Sequence, residues 1–276
     1  MPASTRRECW FLSSAFHTIQ LSDPAFEQEG LRFVTVKSRA LRRRGDVCVW
    51  APEASEISTL LILLHGVYGS HWAWPMAGGV HRTAQCMLKA EEIAPMVIAM
   101  PSDGLGRDGS GYLTHPLSED VERWIVDEVP AIARIAAPAL RTDARVAIGG
   151  LSMGGYGAIR LGAKYADRFS SISAHSAITN IEEMSEFVEE PLQGYLACAR
   201  MEELSTLYWL RRRREHLPKL RFDCGVSDPL IEGNRSLHRA LTAEGIEHVY
   251  EEFAGGHEWS YWGEHVARTL RFANQA

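Results

Sequence analysis

Residues 149–162 read GGLSMGGYGAIRLG and follow directly on the apolar run Val146-Ala147-Ile148. A short β-branched run that ends in Gly-x-Ser-x-Gly and passes into a helical pattern is the signature of a serine carried on a sharp strand-to-helix turn. Gly150 and Gly154 stand two residues either side of Ser152, where any side chain would collide with the neighbouring strand or helix. The helix beginning at Met153 puts unpaired amides and a positive dipole end behind that serine, which favours negative charge on a bound substrate. The pentapeptide also arises by chance, and glycine-rich turns are common in α/β proteins. The reading therefore depends on partners elsewhere in the chain.

Around this stretch, strand-like runs alternate with helical ones. The strand patterns are LRFVTVKS (31–38), DVCVWAP (46–52), TLLILLHG (59–66), PMVIAMP (95–101), RVAIGGL (145–151), FSSISAH (169–175), KLRFDCG (219–225) and HVYEEFA (248–254). The first two alternate as an exposed antiparallel pair does, whereas TLLILL and MVIAM are apolar on both faces, as buried parallel strands are. Helices are expected over about 80–90, 118–135, 153–165, 233–244 and 259–272. Strand–helix alternation predicts right-handed crossovers and a doubly wound, mostly parallel sheet of about eight strands. Residues 31–276 read as one α/β domain, and 179–218, longer than a crossover needs, as a small cap of one or two helices over the carboxyl edge of the sheet.

Composition narrows the functional classes. The chain has 276 residues, 46% of them hydrophobic, enough for a substantial core. A formal net charge of −6 leaves no overall basic field to recruit nucleic acid or an anionic membrane. Arg42–Arg44 and Arg211–Arg214 are short, isolated runs that read as solvated surface. Five scattered cysteines without a Cys-x-x-Cys pair predict neither a zinc site nor a disulfide framework. No run reaches the about 18 apolar residues that span a bilayer, and the N-terminal stretch lacks a clear leader pattern. A cytoplasmic protein acting on a small molecule is expected.

In doubly wound sheets ligands bind beyond the carboxyl ends of the strands, so the loops there carry the search for partners. After KLRFDCG comes Asp228, and after HVYEEFA comes Gly255-Gly256-His257. Ser152, Asp228 and His257 thus occur in the chain order serine, acid, histidine, each following a strand. The rival acids are Asp223, inside a strand pattern, and Glu232, near the next helix; the rival base is His175, which precedes the acid and breaks the order. After TLLILL comes His65-Gly66-Val67-Tyr68, placed to supply a second oxyanion-hole amide from Val67 or Tyr68 beside that of Met153. His65 reads as a brace for that turn. The loop 101–112 should lie beside the pocket, as a turn stabilised by aspartate side chains. Its spacing does not fit a calcium loop, so no metal is predicted. Trp72, Trp259 and Trp262 are candidate walls of the pocket, and Trp74 shares that reading; burial in the core is the alternative for each.

With those motifs in view, GGLSMGGYGAIRLG, LLHGVYGSHWAW, SDGLGRDGSGYL, DCGVSDPLIEGNRSLHRALTAEGI and FAGGHEWSYW resemble the esterase D-like family of α/β-hydrolases from about residue 30 onward. That family includes S-formylglutathione hydrolases, feruloyl and acetyl-xylan esterases, small-ester carboxylesterases and mycolyltransferases. The resemblance implies an α/β-hydrolase fold with Ser152 as nucleophile, Asp228 as acid and His257 as base, and no cofactor. It implies hydrolysis of carboxylic esters through an acyl-enzyme, with acyl transfer or thioester hydrolysis at the same site as alternatives; the small cap and the absence of a long apolar lining lead us to expect short acyl chains. The His65-Gly66 turn argues against the thioesterase form. Residues 1–30 match none of these motifs and read as an extension that covers the sheet or joins subunits into a homo-oligomer.

Overall fold

The computed structural model describes residues 16–116 and 118–275. Nine strands form one sheet: β1 Phe16–Leu21, β2 Leu31–Ser38, β3 Arg44–Trp50, β4 Ile57–Leu64, β5 Val97–Pro101, β6 Leu140–Leu151, β7 Ser171–His175, β8 Lys219–Gly225 and β9 Val249–Phe253. Their spatial order is β1-β2-β3-β5-β4-β6-β7-β8-β9. Pairings are antiparallel from β1 through β3 to β5 and parallel from β5 to β9. The sequence pattern predicts about eight strands. The ninth is β1, within the segment read as an extension; residues 1–15 of that segment lie outside the described residues. FHTIQL mixes polar and apolar side chains because β1 is an outer strand, so it lacks a strong apolar run.

The central strands explain their own composition. In β4, Leu60, Ile62 and Leu64 enter a core on one face of the sheet while Leu61 and Leu63 enter a second core on the other. Two-sided burial turns the usual polar–apolar alternation into a continuous apolar run. β3 is also buried on both faces over nearly its whole length, not half-exposed as its pattern suggests, because it pairs with both β2 and β5. One face is covered by Val129–Ala136 and Met153–Lys164, the other by Val80–Lys89 and Trp259–Gln275. The helix expected from residue 118 starts at Val121 and widens into a π-turn over Trp124–Glu128, just before Pro130, which has no N–H to donate. Among the described residues no helix is long and apolar enough to cross a membrane.

Residues 179–218 do not form one or two helices. They fold as short pieces, Ile181–Glu186, Gln193–Leu196, Met201–Leu204, Thr206–Arg212 and Arg214–His216. Pro191 and Gly194 interrupt the periodicity. The chain leaves β4 in one direction to reach β5 and then crosses back to β6 on the other side of β4. This reversal opens a crevice between the carboxyl ends of β4 and β6. Leu64 pairs with Gly150 at those ends, so the loop after His65 and the turn at Ser152 begin side by side.

Candidate active site

Ser152 follows β6 with φ 53° and ψ −122°, a left-handed conformation that costs a non-glycine residue about 1–3 kcal/mol. Three backbone hydrogen bonds hold it there. Its N–H donates to the His175 carbonyl at 3.0 Å, and its carbonyl accepts from Tyr156 at 3.0 Å and Ile178 at 3.1 Å. The flanking glycines are sterically required. A Cβ on Gly150 would strike the Gly154 carbonyl, and one on Gly154 would lie 2.5 Å from the Leu64 carbonyl oxygen.

Asp228 sits in the turn after β8 and His257 in the turn after β9, where Gly255 adopts φ 133°. Nδ1 of His257 lies 2.9 Å and 3.1 Å from the two carboxylate oxygens of Asp228, and Nε2 lies 3.0 Å from Ser152 Oγ. A carboxylate can only accept, so Nδ1 carries the proton and donates it, leaving Nε2 to accept from the serine hydroxyl. Burial pushes the Asp228 carboxyl up, but the His257 hydrogen bond and charge, with the Leu230 amide and Ser176 hydroxyl, outweigh this and hold it below its ordinary range. Two rings fix the imidazole. Phe187 lies over it at 5.0 Å between centroids, and Trp262 meets it edge-on at 4.9 Å and 89°.

Met153 opens the helix behind Ser152, so its N–H has no intrahelical partner. Gly66 brings the β4 loop against the same turn, its hydrogen in place of a Cβ that would sit 3.3 Å from Ser152 Cβ. The amides of Met153 and Val67 donate to no other group among the described residues. Tyr68 is different: its N–H is already given to the Asp108 carbonyl at 2.9 Å. Of the two candidates on this loop, the Val67 amide is therefore the one available to a substrate oxygen. His65 braces the loop by donating from Nδ1 to the Gly66 carbonyl at 2.7 Å.

Ser152 and His257 open into a cleft of about 300 Å³, walled by Trp72, Trp259, Trp262, Val67, Tyr68 and Phe187. Trp74 is core instead, with its Nε1 donating to the Leu64 carbonyl at 2.8 Å. Phe187 belongs to the cap, and nothing in its sequence surroundings marks it as part of the site. In the 101–112 loop, Asp103 accepts from the amides of Leu105 and Ser110, the aspartate-stabilised turn expected. The rival residues are accounted for together. Asp223 and His175 pair with each other, both fully buried, and Glu232 bonds Arg235 at the surface. Among the described residues no group of three or more His, Cys, Asp and Glu side chains is arranged to hold a metal ion.

A family model described as "Putative esterase" matches residues 38–219, about two thirds of the chain. The protein belongs to this esterase family. The match takes in Ser152 and the β4 loop and stops short of Asp228 and His257. An acetyl esterase of Caldicellulosiruptor saccharolyticus is 28% identical over 237 residues, covering 80% of this chain and 85% of that protein. Among solved structures, a ferulic acid esterase superposes with a TM-score of 0.75 at 23% identity over 94% of this chain and 98% of its own. An S-formylglutathione hydrolase from Staphylococcus aureus superposes with a TM-score of 0.74 at 20% identity, over 92% and 99% respectively. This esterase therefore has the α/β-hydrolase fold and is a carboxylic ester hydrolase.

Proposed function

We propose that this esterase hydrolyses short-chain, uncharged carboxylic esters in two steps, with Ser152 as nucleophile, His257 as base and Asp228 as the acid that orients it. The observation that carries this reading is the unbroken hydrogen-bonded chain from Asp228 through His257 to Ser152 Oγ on the floor of the cleft. Ser152 Oγ attacks the ester carbonyl carbon while His257 Nε2 takes its proton. The carbonyl oxygen becomes an oxyanion held by the Met153 and Val67 amides, each such donor being worth about 3 kcal/mol in the transition state. Collapse expels the alcohol, which takes the proton back from His257. Water then repeats the sequence on the acyl-serine, and the acid is released.

The substrate class is supported by the walls. A cavity of about 300 Å³ is small for a ligand site and is lined by aromatic and aliphatic groups with no lysine or arginine. Nothing in that lining would neutralise the carboxylates of a glutathione-type leaving group, so an uncharged oxyester is favoured over that thioester. Intact-protein mass after brief exposure to a fluorophosphonate probe tests the nucleophile: one adduct is expected on the wild type and none on Ser152→Ala. Turnover of p-nitrophenyl acetate, butyrate and palmitate tests the class. Faster hydrolysis of palmitate than of butyrate would refute the short-chain assignment.

A further inference from the structure

We infer that Asp108 is a positioning residue that ties the cap segment over the cleft to the loop bearing the Val67 amide, and so sets the width of the site above His257. The inference rests on the esterase reading of that site. Asp108 makes three bonds to two different walls. Its backbone carbonyl accepts the Tyr68 N–H at 2.9 Å, its Oδ2 accepts the Glu189 N–H of the cap at 2.9 Å, and the same oxygen accepts from the Tyr68 hydroxyl at 3.3 Å. Glu189 stands two residues beyond Phe187, the ring over His257.

The next residue extends the joint. Gly109 passes so close to the oxyanion side that an added Cβ would sit 3.1 Å from Val67 Cγ1 and would overlap the Met153 sulfur. Its carbonyl accepts the Tyr195 hydroxyl of the cap at 2.7 Å. Residues 108–109 therefore contact the side chains of both amide-bearing residues and two points of the cap.

The division of labour within Asp108 makes the role separable. The backbone carbonyl fixes Tyr68, which leaves the neighbouring Val67 amide for the substrate; no side-chain change removes that bond. The carboxylate fixes the cap through Glu189. Asp108→Ala should free Phe187 to swing outward while the amides stay in place, widening the site without disabling it. Asp108→Asn keeps a side-chain oxygen to accept from Glu189 and should restore the narrow site.

The test measures kcat and KM for p-nitrophenyl acetate and octanoate on the wild type, Asp108→Ala and Asp108→Asn, with fluorophosphonate labelling of each. Expected for Asp108→Ala is a rise of at least about fivefold in the octanoate-to-acetate ratio of kcat/KM, carried by a lower KM for octanoate, with Asp108→Asn near the wild-type ratio. A merely structural role would depress both esters alike and leave the ratio flat. Normal labelling with an unchanged ratio, or an Asn variant indistinguishable from Ala, overturns the inference and leaves the esterase reading standing. A wild type that resists the probe overturns that reading instead. Should Asp108→Ala fail to fold, Glu189→Pro removes the same hydrogen bond from its donor side, and the same rise in ratio is required of it.

Discussion

Nδ1 of His175 lies 2.9 Å from Asp223 Oδ2, the same separation that joins His257 to Asp228. Its Nε2 lies 2.7 Å from the Thr269 hydroxyl, so the molecule contains two acid–histidine–hydroxyl chains. Burial tells them apart. His175 and Asp223 are fully enclosed, with Arg221 and Tyr261 also bonded to the carboxylate, whereas the His257 side chain is 17% exposed beside the cleft. The inner chain anchors the carbonyl that receives the Ser152 amide.

Removing the inner histidine should therefore cost stability and leave the chemistry. His175→Ala takes one hydrogen bond from the buried Asp223 carboxylate, which keeps Arg221 and Tyr261, and leaves the Thr269 hydroxyl without its histidine partner, at a cost of about 1–3 kcal/mol. Urea unfolding would measure that loss. Probe labelling per folded molecule should remain near the wild-type level, and its disappearance in a folded variant would show that His175 belongs to the reacting chain.

Ser152 should be a point where activity and stability oppose each other. Ser152→Ala keeps a side chain in the left-handed conformation, whereas Ser152→Gly relieves it. The glycine variant is expected to be more stable than the alanine one by about 1 kcal/mol, both being inactive. Thermal unfolding of the pair decides this, and equal midpoints would mean that the turn stores no strain.

Asp228→Asn should keep the shape of the site and lose most of its rate. An amide facing His257 favours the tautomer with Nδ1 as acceptor, which turns the Nε2 proton toward Ser152. A drop of about 10⁴-fold in kcat with little change in KM is expected. A drop below tenfold would remove Asp228 from the assigned role.

Acid should unfold the protein in two stages. Burial holds the imidazoles of His71, His115 and His265 below the ordinary histidine range. Unfolded histidines take up protons from about pH 6.5 downward, so the stability these groups contribute is complete above that pH and is lost as pH falls through it toward their folded values. Asp223 and Asp228 are also held low, against the upward push of burial, by their histidine partners and, for Asp223, by Arg221. Their contribution persists to about pH 4 and is lost only below it. Unfolding midpoints recorded from pH 8 to pH 3 should show both declines, with His115→Gln flattening the first; a constant midpoint down to pH 5 would contradict the histidine stage.

Much of the candidate site is legible in the sequence, for identifiable reasons. Buried parallel strands write continuous apolar runs, so the central strands are marked in the sequence, and an elbow must carry Gly150 and Gly154, so Ser152 is marked once its partners are found in order. Asp228 and His257 follow from loop position and chain order. What escaped was fixed by contacts distant in sequence. Phe187 is one aromatic residue among acids, β1 is half polar because one side faces solvent, and what distinguishes the Tyr68 amide from that of Val67 is its bond to a carbonyl 40 residues away, at Asp108. The cap breaks into short pieces where Pro191 and Gly194 interrupt a pattern that otherwise reads as helical.

The outermost strand also bears on how the sheet ends. β1 pairs with β2 through an irregularity between Phe16 and Ile19, so the rim it offers is short and distorted. A chain trimmed to start at Leu31 would instead present the regular eight-residue β2 as its border, a row of open amides and carbonyls that invites another copy to add on. The half-polar segment that carries so little signal in the sequence covers that border, and light scattering of the trimmed chain is expected to show more growth with concentration than that of the full chain.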